Sequence, residues 1–309
     1  MRWLDKPYNS LNSMLLKRFG EKTYKLTLSG GMTCPNRDGT LDSRGCIFCS
    51  IGGSGEFAAD DTLSITAQIE QQKAILQEKR PVNKFVAYFQ AYTNTYGELT
   101  HLRDIFTEAI AHLDVVALSI GTRPDCLSEE VIALLADLNR QKPVWIELGL
   151  QTIHPPTAKY IRRGYDLDCF EYAIATLRKA NIEVIVHVIL GLPGESVADM
   201  LATIAYLNKL PIQGIKLQLL HVLKDTDLAN DYANGAFEVF TMEQYLDLLI
   251  TCLENLSPDI VVHRVTGDGP KDLLIAPTWS SAKRTVLNEL HRRMREQNTW
   301  QGKHYHTEE

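Results

Sequence analysis

Cys34-Pro35-Asn36-Arg37-Asp38-Gly39-Thr40-Leu41-Asp42-Ser43-Arg44-Gly45-Cys46-Ile47-Phe48-Cys49 is the stretch on which the reading of this chain turns. Two thiols spaced Cys-x₂-Cys can face one metal centre, and the glycine-bearing loop before them can return Cys34 as a third ligand. Three soft thiolates suit iron or zinc, and no fourth cysteine stands nearby to close the coordination. A [4Fe–4S] cluster with one open iron, a structural zinc loop and unligated core thiols are all compatible with spacing alone. Cys126, Cys169 and Cys252 are isolated and read as core or surface residues.

Outward from this loop, short apolar runs alternate with longer helical segments. Strands are expected at Tyr24–Ser29, Phe85–Phe89, Val115–Ile120, Val144–Leu150, Val184–Leu190 and Gly214–Leu220, with another at Ile260–Arg264. Helices are expected over Ile65–Lys79, Leu102–Leu113, Glu129–Asn139, Phe170–Lys179, Val197–Asn208 and Met242–Leu256. Repeated β-then-α order predicts a parallel α/β fold of about six main strands. Periodicity does not separate an open doubly wound sheet from a partial barrel. Residues 301–309 carry little core pattern and are expected to be mobile.

The chain has 309 residues, 45% apolar and 23% charged, which fits a packed enzyme-sized body and excludes disorder throughout. Its formal charge of −6 argues against a wholly basic nucleic-acid coat but leaves room for a local basic patch. No apolar run reaches 18 residues, so no membrane partner is expected. The start, Met1-Arg2-Trp3-Leu4-Asp5, lacks a hydrophobic signal segment, and a cytoplasmic location is the expectation. Six cysteines are too sparse for a disulfide scaffold.

By this cysteine loop and the residues that follow it, the chain resembles the radical S-adenosylmethionine (radical SAM) proteins. It is most similar to the YtqA/YhcC-type bacterial subgroup, related to Elongator-type tRNA-modifying enzymes but lacking their acetyltransferase domain. The superfamily usually carries Cys-x₃-Cys-x₂-Cys, whereas this chain has Cys-x₁₁-Cys-x₂-Cys, the longer cluster loop of that subgroup. The resemblance extends from about Lys25 to Leu290. It implies an α/β fold, a partial (β/α)₆ barrel: an N-terminal extension at 1–23, a radical SAM core at 24–265 and a C-terminal extension at 266–309. It also implies a [4Fe–4S] cluster on Cys34, Cys46 and Cys49, with S-adenosylmethionine on the fourth iron and a 5′-deoxyadenosyl radical as the reactive species.

Further site residues follow from the same resemblance. The stretch Gln90-Ala91-Tyr92-Thr93-Asn94 lies where the family approaches the methionine amino group, with Gln90 and Thr93 the favoured contacts, although the common Gly-Gly-Glu is missing. By likeness to the coproporphyrinogen dehydrogenase branch, Gln151 would contact the ribose and Arg163 the methionine carboxylate. Glu147 reads either as a cavity acceptor or as half of a buried structural pair. His187 stands where that branch has a ribose-binding aspartate. Gly191, with Gly194, reads as backbone close to adenine or as a turn.

Beyond the cofactor, strand alternation puts Lys216 and Gln218 on one face with Leu220, and Lys216, His221 and Arg264 are the candidate catalytic residues. His263, Asp268 and Lys271 make a further polar edge. The basic groupings Arg162-Arg163, Lys283-Arg284 and His291-Arg292-Arg293-Met294-Arg295 are candidates for tRNA phosphates. The family resemblance implies tRNA as partner, a reductant such as flavodoxin or ferredoxin, and a separate pathway methyltransferase acting afterwards. The implied reaction converts wobble 5-carboxymethylaminomethyl(2-thio)uridine to 5-aminomethyl(2-thio)uridine. Hydrogen abstraction from the glycine-like methylene, then oxidation and hydrolysis, is a physically reasonable route. A radical SAM enzyme for another RNA or a small metabolite, and a zinc-stabilised noncatalytic tRNA-binding module, are the alternatives.

Overall fold

A computed structural model of the chain describes residues 3, 6–53, 55–79, 81–267 and 269–306. Asp268 and most of the N-terminal stretch discussed above lie outside them. In chain order the elements are α1 (Leu11–Phe19), β1 (Thr23–Leu28), α2 (Ile65–Gln77), β2 (Lys84–Phe89), α3 (Leu99–Ala111), β3 (Val115–Thr122), α4 (Glu129–Asn139), β4 (Val144–Gln151), α5 (Pro155–Tyr160), α6 (Leu167–Lys179), β5 (Glu183–Leu190) and α7 (Val197–Asn208). There follow β6 (Gly214–Leu219), β7 (Val222–Leu223), α8 (Asp227–Ala233), α9 (Met242–Asn255), β8 (Val261–Arg264), β9 (Leu274–Ala276) and α10 (Lys283–Glu296).

The strands β1-β2-β3-β4-β5-β6-β8 pair in that order, every pair parallel. Because helices cover one face and side chains fill the other, the strands read as near-continuous apolar runs; Phe85 to Phe89 are all buried. This is an α/β partial barrel of the (β/α)₆ kind with a C-terminal extension, so the choice left open by periodicity falls to the barrel. β7 and β9 form a separate antiparallel pair beside the barrel mouth.

Caps place the helix starts. Ser128, Ser196 and Thr241 accept from the backbone at N3, and the last two complete capping boxes with Asp199 and Gln244. α6 begins at Leu167 rather than Phe170, because the Asp166 carboxylate accepts from Cys169 N at 2.9 Å and starts the helix a turn earlier than the apolar pattern suggests.

α1 closes the barrel from below. Leu15, 3% exposed, packs on Val86, Ala117, Trp145 and Ile185, the inward side chains at the strands' N-terminal ends. Just before α1, Ser10 bridges Val262 of β8 in parallel.

The C-terminal segment departs from the expected mobility. The Gln301 side chain, fully buried, accepts from Asn9 N (2.8 Å) and donates to Ser257 O (2.6 Å) and Ile260 O (2.9 Å), while Gly302 N and His304 N donate to Leu253 and Glu254 carbonyls. Hydrogen bonds rather than an apolar stripe tie residues 301–305 down, which is why composition missed them.

Candidate active site

Strand alternation sends residues 86/88, 117/119/121, 145/147/149, 185/187/189 and 214/216/218 to the barrel interior. Above the apolar floor the interior turns polar around Glu147. Its carboxylate, fully buried, pairs with Lys25 from β1 and Lys216 from β6, accepts from Ser119 Oγ at 2.8 Å and bonds His187 Nε2 at 2.7 Å. Lys216 Nζ also reaches Tyr88 Oη at 3.1 Å. A register shift between Ile215 and Lys216 sets Lys216 opposite Arg264 instead of His263, which brings that guanidinium inward too.

Burial penalises the Glu147 carboxylate, but the adjacent Lys216 and Lys25 charges overcome it and hold it well below the usual carboxylate range. Burial also lowers Lys216, to about 7, with repulsion from Lys25 and Arg264 working against the Glu147 attraction. His187 is lowered to about 4 by burial and then by Lys216, so its imidazole is neutral at pH 7. His263 is lowered well below its ordinary value for the same first reason. It lies edge-on to Trp145 at 6.2 Å, a ring in the barrel floor and not part of a solvated strand end.

The cysteines arrive from the long β1–α2 connection. Cys34, Cys46 and Cys49 line one cavity of about 200 Å³ over the strands' C-terminal ends, together with Tyr88, Glu147 and Lys216. Arg37 Nη2 donates to the Cys49 carbonyl at 2.8 Å and Asn36 Nδ2 to Cys46 Sγ at 3.4 Å. Tyr92 N donates to Gly53 O (3.0 Å) and Thr93 N to Thr33 O (3.2 Å), so the β2 end grips the loop on both sides of the cysteines. Burial pushes the Cys46 thiol up to about 12, so a cationic centre is needed to stabilise its thiolate.

Most residues expected at the cofactor converge on this cavity: Gln90, Thr93, Glu147, Gln151, Arg163 and His187 all line it. A bulge between Gly149 and Gln151, with Gln151 at φ +62°, turns the Gln151 amide inward, and Tyr165 Oη approaches its Oε1 at 3.3 Å. Arg163 is already engaged: Nη1 donates to Leu150 O (3.1 Å) and Thr152 O (2.6 Å), and Nε to Tyr165 O (3.0 Å). Gly191 stands outside the lining, at φ +91° in a turn whose missing Cβ leaves room for the Phe240 ring. Of the candidate catalytic residues, Lys216 and Arg264 border the cavity, while His221 borders a second, outer space and packs against Gly267.

Sequence reading missed Lys25, a partner of Glu147, and lining residues such as Arg123. Lys25 looks like one polar position in an alternating edge strand, and only barrel curvature carries it to Glu147. Arg123, 8% exposed at the end of β3, grips Asp125 through two bonds (2.9 and 2.7 Å) and stacks on Tyr165 at 4.9 Å. Its place after the strand was the available signal. Three members of the expected basic groupings are paired with acids: Arg162 with Asp227, Arg292 with Glu289 and Glu296, and Arg293 with Glu289 and Asp247.

Comparison with known proteins accords with this geometry. The radical SAM superfamily pattern matches residues 43–207 and the radical SAM C-terminal domain residues 212–296. YtqA of Bacillus subtilis is 42% identical over 301 residues, covering 97% of this chain and 94% of that protein. The chain belongs to the radical SAM superfamily. Within it, Escherichia coli YhcC is 35% identical and covers 95% of this chain and 94% of its own length. A tRNA uridine(34) acetyltransferase of Methanocaldococcus infernus is 25% identical over 178 residues, 57% of this chain and 32% of that protein. The solved Elp3 of M. infernus superposes with a TM-score of 0.65 at 17% identity, over 90% of this chain and 64% of that one, a likeness of fold.

The radical SAM family brings a [4Fe–4S] cluster and S-adenosylmethionine, and the donors present fit both. Among the described residues no group of three or more His, Cys, Asp or Glu is arranged to hold a single metal ion, whereas a four-iron cluster takes each thiolate on a separate iron. Among the same residues no helix is long and apolar enough to cross a membrane.

Proposed function

We propose that this radical SAM enzyme modifies tRNA, removing the carboxymethyl group of wobble 5-carboxymethylaminomethyl(2-thio)uridine to leave 5-aminomethyl(2-thio)uridine. The observation that carries the reading is the clustering of basic side chains around Glu147. Lys25 and Lys216 both pair with this one buried carboxylate, and Arg264, opposite Lys216 in register, borders the cavity that Glu147 and Lys216 share with the three cysteines. Such a cavity suits a ligand that brings its own negative charge, as the glycine-like carboxylate of this nucleoside does. The partial identity with a tRNA uridine(34) acetyltransferase supports uridine 34 as the target.

Cluster and S-adenosylmethionine together supply reductive sulfonium cleavage and a 5′-deoxyadenosyl radical, with electrons from a carrier such as flavodoxin or ferredoxin. The chain's own residues do the positioning. Lys216 and Arg264 hold the substrate carboxylate, which fixes the adjacent methylene. Glu147 and Tyr88 orient Lys216 from beneath. The apolar floor that packs on α1 keeps water from entering below. Gln90, Thr93 and Gln151 supply hydrogen bonds toward S-adenosylmethionine, and Arg163 fixes the β4 end that carries Gln151. A pathway methyltransferase would act on the aminomethyl product.

The test is anaerobic reconstitution with tRNA bearing the substrate nucleoside, S-adenosylmethionine and reductant, followed by nucleoside mass spectrometry. Loss of substrate with appearance of 5-aminomethyluridine and 5′-deoxyadenosine is the expected result. 5′-Deoxyadenosine with the tRNA unchanged would move the assignment to another RNA or a small metabolite.

A further inference from the structure

The inner cavity of about 200 Å³ adjoins a second, outer space of about 950 Å³. Five residues border both, among them Phe48, Gln218 and Arg264, so the outer space is the approach to the radical site. Its two sides differ in chemistry. The cysteine loop contributes Phe48 and Phe57, and the Phe57 ring is 51% exposed, an aromatic face turned to solvent beside a cavity. The C-terminal extension contributes Lys271 and Lys283, with the Ser280 and Ser281 residues between them in sequence. Glu56 and Asp272 are the acidic residues of the lining.

We infer that the outer chamber binds one nucleotide of a single RNA strand, its base against Phe48 and Phe57 and its flanking phosphates toward Lys271 and Lys283. Aromatic faces paired with cations are the chemistry of single-stranded nucleic-acid recognition, since bases stack and phosphates need positive charge. Size points the same way. The inner cavity, which the cluster and S-adenosylmethionine would share, leaves space for no more than a short arm of the substrate, whereas a base with its ribose and phosphates needs the larger volume outside. The substrate is therefore a nucleotide held within a strand, extruded toward the cysteines, and not a free nucleoside. The inference rests on the proposed tRNA reading for the identity of the base.

The test is fluorescence anisotropy of the reconstituted enzyme with a labelled anticodon stem-loop RNA at roughly 50 and 200 mM salt. The double variant Lys271→Glu/Lys283→Glu is expected to bind at least about tenfold more weakly and to lower the salt slope by about 1.4, the loss of two single-strand phosphate contacts. Phe57→Ala is expected to weaken binding about tenfold with the salt slope unchanged. If both variants keep the wild-type melting temperature and iron content and still bind like wild type, the inference is overturned. Wild-type binding that the variants lose, with no wobble nucleoside converted, upholds the chamber and removes the reaction assignment. Conversion of the free nucleoside as fast as the RNA, with binding unaffected by the variants, does the reverse.

Discussion

Glu147 and Lys216 form an ion pair sealed from solvent on both sides, their side chains 0% and 4% exposed, at the centre of the barrel interior. Lys25 completes a second pair on the other carboxylate oxygen. Removing one member of such a group leaves an uncompensated buried charge, which outweighs the modest net worth of the pair. Glu147→Gln is therefore expected to destabilise the chain by about 3–5 kcal/mol in urea unfolding. The double variant Glu147→Gln/Lys216→Met, which removes one of the stranded cations, should recover part of that loss. Equal stability of Glu147→Gln and wild type would contradict the arrangement.

Lys216→Met alone separates anchoring from radical generation. It should lower kcat/KM for substrate tRNA by about 10²-fold. S-adenosylmethionine cleavage without substrate should persist, because Lys216 is assigned to the substrate carboxylate. Parallel loss of both would place Lys216 at the cofactor instead.

The buried imidazole sets an acid limit. His187 is held at about 4 in the fold against an ordinary 6.5, so between those pH values the unfolded chain binds a proton that the folded chain does not. Stability rises with pH across that window and falls as pH drops from 6.5 to 4. Glu147, depressed by its lysines, adds stability that is complete above its ordinary 4.5 and is lost as pH falls further. His187→Gln should flatten the slope of unfolding free energy between pH 6.5 and 4, measured by urea titration of the cluster-free chain. An unchanged slope would show that His187 is not buried neutral.

The cysteine loop depends on Gly53. At φ +60° it lies against Tyr92, and a Cβ there would come within 2.3 Å of the tyrosine ring. Gly53→Ala is expected to reduce iron incorporation on reconstitution severalfold, and adding Tyr92→Ala should restore part of it. Wild-type iron content in Gly53→Ala would remove this contact from the account.

Cys34 stands ahead of the superfamily match, which begins at residue 43, yet it lines the same cavity as Cys46 and Cys49. Single Cys→Ser changes at these three positions should each abolish the cluster's visible absorption and its acid-labile sulfide, while Cys126→Ser should keep both. Retention of the cluster in Cys34→Ser would mean another ligand.

Legibility in the sequence followed the range of the interactions. The strand–helix alternation and the cysteine spacing are local patterns, and both appear in the barrel with the thiols over its C-terminal end. Gln151 and His187 were singled out by likeness to the coproporphyrinogen dehydrogenase branch, and both line the cavity at the strands' C-terminal ends. Lys25 was not, since its partner Glu147 lies 122 residues away and three strands across the sheet. Gln301 was missed for a similar reason: its partners are backbone groups of distant segments. The pairing of Arg292 with Glu289 and Glu296, by contrast, sits at helical i−3 and i+4 spacing and was open to reading beforehand.

The most direct test of the central claim uses tRNA whose wobble 5-carboxymethylaminomethyluridine carries deuterium on the methylene beside the carboxylate. With reconstituted enzyme, S-adenosylmethionine and reductant, deuterium should appear in 5′-deoxyadenosine as 5-aminomethyluridine accumulates in the tRNA. Unlabelled 5′-deoxyadenosine alongside an unchanged wobble nucleoside would contradict it.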